Sequence, residues 1–423
     1  MTVSTQRLIR RSFDASELDA SARTVHDSLQ RVQKWVEDHG YQAYEPFDGL
    51  STPLRALTRE HLLLDRLLQQ LGRQSPVNFR PLLGIKQQPS TKGRGYMAAG
   101  YLKMYQLTGD EGNLRKAESC LEWLIENKSP RFAEHSWANH FDYASRGGRY
   151  GKHDSIVVWT AIIGQVFVDA FGVTGRTRYL DTADSVCRWI LQLPRERTAT
   201  GTGIAYHMQA HGGTVHNASM LGAALLARMW RHTRRQEYLE LAQAAIEYSC
   251  ARLRADGSWW YAEHGTNHWI DNFHTGYNLD SLKCYIDQTG DTTWSGHLDR
   301  AFEYFLTHFF EPSGRPKYYH DRAYPIDIQC ASQAIETLTK FADRGSQVRQ
   351  TAMSVARWTI ENMQDGSGYF YYRRYPLGVI AKIPMLHWGQ ATMHHALSLL
   401  LGEYAARLPV GGHRNERRPS SES

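Results

Sequence analysis

The chain has 423 residues, of which 42% are hydrophobic and 22% charged, and carries a formal net charge of +6. That is the composition of a globular protein, and its mild, dispersed basic excess, partly in Arg414, Arg417 and Arg418, lacks the concentrated basic stripe that marks nucleic-acid binding. No apolar run approaches the roughly 20 residues that cross a bilayer, and the opening residues MTVSTQRLIRRSFDASELD lack the apolar core of a secretion signal, so a cytoplasmic location is expected.

Residues 1–19 read as an N-terminal extension, followed by a helix over Ala20–His39. A second helical stretch, Leu54–Leu71, fits no repeat. Beyond it a period of roughly 60 residues organises the chain. TGDEGNLRKA (108–117), TGRTRYLDTA (174–183) and TRRQEYLELA (233–242) each end one helix and open another with Leu-x-x-Ala; TGDTTWSGHLDRA (289–301) repeats the scheme with an insertion, and ADRGSQVRQTA (342–352) is a looser copy. Gly after a helix is the expected left-handed stop, and the short turns predict antiparallel pairs.

Each pair joins a helix apolar on most faces to an amphipathic one. The first kind are predicted at Tyr96–Leu107, Ile156–Val173, Ala218–Trp230, Tyr277–Ile286, Ile328–Phe341 and Trp388–Leu401. The second are predicted at Asn113–Asn127, Tyr179–Leu193, Tyr238–Leu253, Leu298–Phe309 and Val348–Met363, with Ala20–His39 supplying the sixth outer partner and closing a ring. The expectation is an all-α, single-domain (α/α)6 toroid over residues 20–408, followed by a disordered tail at 409–423. The long links carry aromatic, Gly-bearing pieces at 201–209, 256–263, 314–321 and 365–374 that read as short hairpins on one rim. Loops and inner-helix starts therefore meet at one end, above a central funnel.

The richest stretch is Trp259–Leu282, WWYAEHGTNHWIDNFHTGYNLDSL, read as a strand or hairpin feeding a helix that opens at His274. The sequence also holds 23 Tyr, 12 Trp and 20 His. Tyr and Trp combine an apolar face with a polar handle, which suits sugar rings. Polar residues recur where inner helices begin: Arg94/Tyr96, His153/Asp154, His216/Asn217, His274/Tyr277, Tyr324/Asp327 and His387/Trp388. The five cysteines fall in helical patterns without CxxC pairs, and no compact His or Cys spacing indicates a metal site. Nor is there a Gly-rich phosphate loop. No cofactor is expected.

Three segments carry a family likeness: YEPFDGL (44–50), KHDSIVVW (152–159) and WIDNFHTGYNLDSL (269–282). Together with the toroid they resemble the six-hairpin glycosidase-like superfamily, and within it bacterial proteins associated with exopolysaccharide and capsule biosynthesis. The resemblance implies carbohydrate chemistry. The superfamily holds hydrolases, polysaccharide lyases, uronyl epimerases and sugar 2-epimerases, and a fold does not choose among them.

Glycoside hydrolysis needs two carboxyl groups. Rim candidates are Asp48, Asp142, Asp154, Glu263, Asp271, Asp321 and Asp327, with Glu263, beside Trp259 and Trp260, as the protonated acid and Asp154 as its partner. Elimination or epimerisation of a uronate instead needs a base and donors for the developing charge. His274, Tyr277, His216 and Tyr324 are candidates for proton transfer; Arg94, Arg373, Arg374 and Asn272 for holding a carboxylate. Tyr96, Trp259, Trp260, Trp269, His387 and Trp388 are expected to line the funnel. The expected partner is a carbohydrate, neutral or acidic. The rival readings are a non-catalytic glycan-binding protein and a peptide-modifying cyclase of the same fold, which would require zinc.

Overall fold

A computed structural model describes residues 18–145, 148–210 and 213–407. The extension up to residue 17 and the expected disordered tail lie outside the described residues. In chain order the helices are α1 (Ala20–Asp38), α2 (Leu62–Gln74), α3 (Thr91–Thr108), α4 (Glu111–Glu126), α5 (Val157–Thr174), α6 (Thr177–Gln192) and α7 (His216–Thr233). They continue as α8 (Gln236–Cys250), α9 (Asn272–Thr289), α10 (Ser295–His308), α11 (Ile328–Lys340), α12 (Ser346–Met363) and α13 (Thr392–Ala405), the last entered through a π-helical turn at Leu386–Ala391.

Twelve of these form the (α/α)6 toroid. The inner helices α3, α5, α7, α9, α11 and α13 pack each on the next, and α13 packs back on α3. Outside them lie α4, α6, α8, α10 and α12 in turn, with α1 on α13. Helix α5 averages a hydropathy of 1.6 over 18 residues, enough by length and composition to cross a bilayer, which no run was expected to approach. It sits between α3 and α7, so its apolar faces are covered by protein. The recurring Thr-Gly positions are left-handed helix stops: Gly109, Gly175 and Gly290 have φ of 72°, 69° and 76°, and Arg234 takes the same conformation in the third hairpin.

Polar side chains join two of the neighbouring inner helices. Lys340 of α11 donates to Asp280 of α9 (2.9 Å) and to Glu336 (2.6 Å), and Gln333 donates to Asp280 (3.0 Å). Lys340 is itself exposed, and the two carboxylates hold its ammonium protonated above the ordinary range.

The rim explains how the ring closes. The loop after each of α6, α8, α10 and α12 turns through a glycine of positive φ, namely Gly201, Gly257, Gly314 and Gly368. A side chain there would strike the backbone of the next outer helix, at the carbonyls of Ala244, Arg300, Ser354 and Arg31. The fourth of these contacts lands on α1, so the first helix of the chain receives the last rim loop. The stretch 259–269 is not the expected strand or hairpin. It makes one isolated bridge, Ala262 to Val215, and is held by ring stacking of Trp260 on His268 (3.6 Å) and of Tyr261 on Trp269 (4.4 Å).

Gly368→Ala is expected to lower stability by about 1–2 kcal/mol for the left-handed backbone and roughly 1–3 kcal/mol more for overpacking. Gly290→Ala, with φ +76° and open space around it, should show only the first cost. Urea unfolding of both variants measures the difference.

Candidate active site

Inner-helix starts and rim loops enclose a cavity of about 1150 Å³. Every inner helix, or the turn that opens it, contributes: Lys92 and Tyr96, Trp159, Asn217, His274 and Tyr277, Gln329, then His387 and Trp388. The walls are aromatic. Tyr143 stacks on Tyr150 (4.7 Å), Trp269 on Tyr261, and Phe273 meets Trp388 edge-on (5.4 Å).

Two histidines on this wall are each backed by a carboxylate. Asp271 caps α9 by accepting from the His274 backbone N–H (3.0 Å), and its other oxygen lies 2.6 Å from His274 Nδ1. The same oxygen accepts from Trp269 Nε1 (3.0 Å), so one side chain fixes helix start, imidazole and indole together. On the second side His387 Nδ1 bonds Glu45, whose other oxygen accepts the His387 backbone N–H (3.2 Å). Burial drives His387 down to about 4, so its ring is neutral near neutral pH, although Glu45 opposes the shift. Burial likewise resists ionisation of Glu45, but His387 and Lys92 outweigh it and hold the carboxyl below its usual range.

Lys92 shares this corner. Its ammonium lies 3.9 Å from the centroid of the Trp159 ring, and burial lowers it to about 7 against the pull of Glu45. On the floor, Tyr277 and Tyr96 are linked hydroxyl to hydroxyl (3.0 Å), and Gln329 donates to Tyr277 (2.9 Å). Burial raises both phenols, so they remain neutral. Arg373 lines the cavity with its guanidinium on Asp327, which also accepts from Trp388 Nε1 (2.8 Å). Asp327 is therefore fully buried behind the wall, orienting two cavity residues.

The cavity thus gathers Tyr96, Asn217, Trp269, Asp271, His274, Tyr277, Arg373, His387 and Trp388 from the sequence-based candidates. The others sit elsewhere. His216 turns away from the axis toward α8, with Nδ1 3.2 Å from Ser249 and Nε2 2.9 Å from Glu263. That hydrogen bond is the main reason the Glu263 carboxyl is lowered, the reverse of the raised acid expected from its tryptophan neighbours. Trp259 points to the Ser249 carbonyl (2.8 Å), and Trp260 stacks on His268 behind the wall. Asp154 is held in its own loop by Gly151 N–H (2.6 Å) and Arg131 (3.0 Å). Arg94 faces α4, over Tyr41 at 3.9 Å and against Cys120. Tyr324 pairs with Arg315, Arg374 with Asn362, and Asn272 is wholly buried off the cavity. Adjacent helical residues point about 100° apart, which is why Asn217 faces the cavity where His216 does not.

Sequence reasoning did not single out Glu45, Lys92, Phe47 or Arg73, and read Asp271 only as one rim carboxylate among several. Glu45 and Phe47 do fall in the YEPFDGL segment. Arg73, over Phe47 at 4.8 Å, comes from the unplaced helix α2. Among the described residues lining the cavity, Asp271 is the one carboxylate, facing Arg66, Arg73, Lys92, Arg322 and Arg373.

Known structures share this architecture. A cellobiose 2-epimerase from Bacillus thermoamylovorans matches with a TM-score of 0.58 and 11% identity over 77% of this chain and 90% of its own. A polysaccharide lyase matches at 0.56 and 11%, over 92% and 98%. An α-1,6-mannanase from Salegentibacter, solved with α-1,6-mannotriose as an inactive variant in which two consecutive aspartates are asparagines, matches at 0.55 and 16%, over 74% and 89%. These likenesses establish the fold. No curated protein sequence matches the chain. The family model for glycosyl hydrolase family 76 matches residues 95–365, which run from the first inner helix to the last rim loop. With a sugar-sized aromatic cavity at the mouth of an (α/α)6 barrel and that match across most of its length, the chain belongs to glycosyl hydrolase family 76 and is a carbohydrate-active enzyme.

Proposed function

We propose that the cavity transfers protons to and from a carbon of an anionic sugar, rather than cleaving a glycosidic bond with water. The observation that carries this reading is the pairing of two cavity histidines with carboxylates, where only one carboxylate lines the wall among the described residues. Hydrolysis by two carboxyl groups sets them about 5–5.5 Å or 6.5–9.5 Å apart across the bond. Here Asp271 is committed to His274 and Trp269, while Glu263 and Asp154 lie off the cavity. The mannanase loses activity with two adjacent aspartates replaced, and this sequence contains no two consecutive aspartates.

In the proposed reaction neutral His387 removes a proton from the carbon beside a carbonyl or carboxylate. His274, its ring held at Nδ1 by Asp271, returns a proton to that carbon. Return on the opposite face is epimerisation; loss of a leaving group instead is elimination. Cationic side chains stabilise the enolate-like charge. Arg66 and Arg73 have no carboxylate partner among the described residues, so their charge is available to substrate. We read the substrate as a uronate-bearing glycan of the surface-polysaccharide type, supported by this cationic wall and by the segment likenesses at 44–50 and 269–282. The second reading, hydrolysis, draws on family membership alone.

Incubating uronate-bearing oligosaccharides with the enzyme in deuterated water should either place deuterium on the epimerised sugar carbon with the mass otherwise unchanged, or split the chain without adding water, leaving an unsaturated uronate. Chain cleavage that takes oxygen from solvent, with no carbon-bound deuterium, would overturn the reading. His274→Gln and His387→Gln should each lower kcat by roughly 10²–10⁴-fold.

The pH profile should have two limbs. Protonation of His387 removes the base, so activity falls below about 4. Lys92 is charged below its titration point, so affinity for an anionic sugar weakens as pH rises through about 7. The charge-assisted contact corresponds to about 1.5–3 kcal/mol, roughly ten- to a hundred-fold in KM. Lys92→Met should raise KM and flatten the upper limb, measured by initial rates across pH.

A further inference from the structure

Helix α2 is oriented against the usual rule. Its buried face is polar: Asp65 pairs with Arg149 (2.5 Å), the Gln69 amide exchanges hydrogen bonds with the Ala144 backbone (2.6 and 2.9 Å), and the Gly72 carbonyl accepts from Arg80 (3.2 Å). Its leucines face outward, with Leu63 59%, Leu67 62% and Leu71 68% exposed. Flanking segments extend the apolar face with Leu57, Phe79 and Leu82. They are tied to one unit by Thr52 donating to the Leu83 carbonyl (2.7 Å) and by the Arg80 bond to Gly72. Of the twelve large hydrophobic residues exposed among those described, ten lie between 54 and 82, so the apolar surface is concentrated in one place. Singly scattered exposed leucines need no explanation, but a contiguous cluster marks an interaction site.

The surround is basic. Residues 53–86 hold six Arg or Lys against two carboxylates, and of the six Arg55 pairs with Asp142 and the buried Arg80 with Asp48. Of these two carboxylates Asp65 is buried on Arg149, and the exposed Glu60 lies 3.8 Å from that same arginine. Arg59 and Lys86 are exposed. On the third face of α2, Arg66, Gln70, Arg73 and Gln74 line the cavity mouth. An apolar helical face with a cationic border is the pattern of a helix lying in the interface of an anionic bilayer. A second copy of the chain meeting this patch face to face would bring two basic borders together.

We propose that α2 and its flanking loops form a membrane-contact surface that seats the cavity mouth against anionic lipid. The inference is independent of the reaction read for the cavity. It is tested with the full chain and vesicles of phosphatidylcholine, with and without phosphatidylglycerol, by cosedimentation and size-exclusion light scattering. Wild-type protein should sediment with the anionic vesicles at least about ten-fold more than with neutral ones, and raised salt should weaken the binding. The variant Leu67→Asp with Leu71→Asp changes only exposed side chains. It should lose about ten-fold or more in vesicle affinity while keeping its circular dichroism and melting temperature. No sedimentation of wild type with either vesicle would overturn the proposal, as would binding that the double variant leaves intact. A wild-type dimer that the double variant dissolves, with no lipid binding, would assign the face to a second copy and overturn it equally.

Discussion

Closure of the inner ring is the constraint on which everything else depends. Six helices enclose a space only if the sixth returns to the first, and here α13 packs on α3 at a point where no side chain fits between them. A Cβ on Gly100 would lie 2.3 Å from the His394 ring. The outer layer repeats the condition, since the last rim loop reaches the carbonyl of Arg31 through Gly368. With the ring closed, the starts of all six inner helices point into one volume. Asp280 of α9 and Glu336 of α11 are joined through Lys340, tying two of those helices together.

How much of this could be read in the amino-acid order follows from what periodicity encodes. Helix pairing is a local, repeated signal: Leu-x-x-Ala after a Thr-Gly stop recurs, and the helices lie within a few residues of where it puts them. Assigning α1 as the sixth outer helix needed only the count of partners. Facing is a finer matter. At a helix start, one residue of register separates cavity from packing interface, as His216 and Asn217 show, and at that resolution side-chain type gives no guide. A histidine there is as useful between helices, bridging Ser249 and Glu263, as it is in a site.

The remaining site residues come from segments with no repeat to place them. Glu45 and Phe47 precede the first inner helix, and Arg66 and Arg73 sit on α2, whose buried polar face defeats any inference from amphipathicity. The stretch 259–269 misled for a related reason. Its alternating aromatic and polar residues satisfy the pattern of a strand, but ring stacking of Trp260 on His268 and Tyr261 on Trp269 holds it without a ladder. What the aromatic richness did signal was the character of the cavity wall, where tyrosines kept neutral by burial offer hydroxyls to a polyol.

The bond between Glu45 and His387 spans 342 positions of the chain. One member precedes the first inner helix and the other belongs to the turn that opens the last. A polypeptide emerging from the ribosome makes the Glu45 carboxylate early and must wait for nearly all of the remaining chain before the His387 imidazole arrives. Five complete hairpins would therefore hold most of the aromatic wall but neither His387 nor Trp388. The enclosed cavity is the final property the nascent molecule acquires, because its first and last segments must meet before the wall is whole.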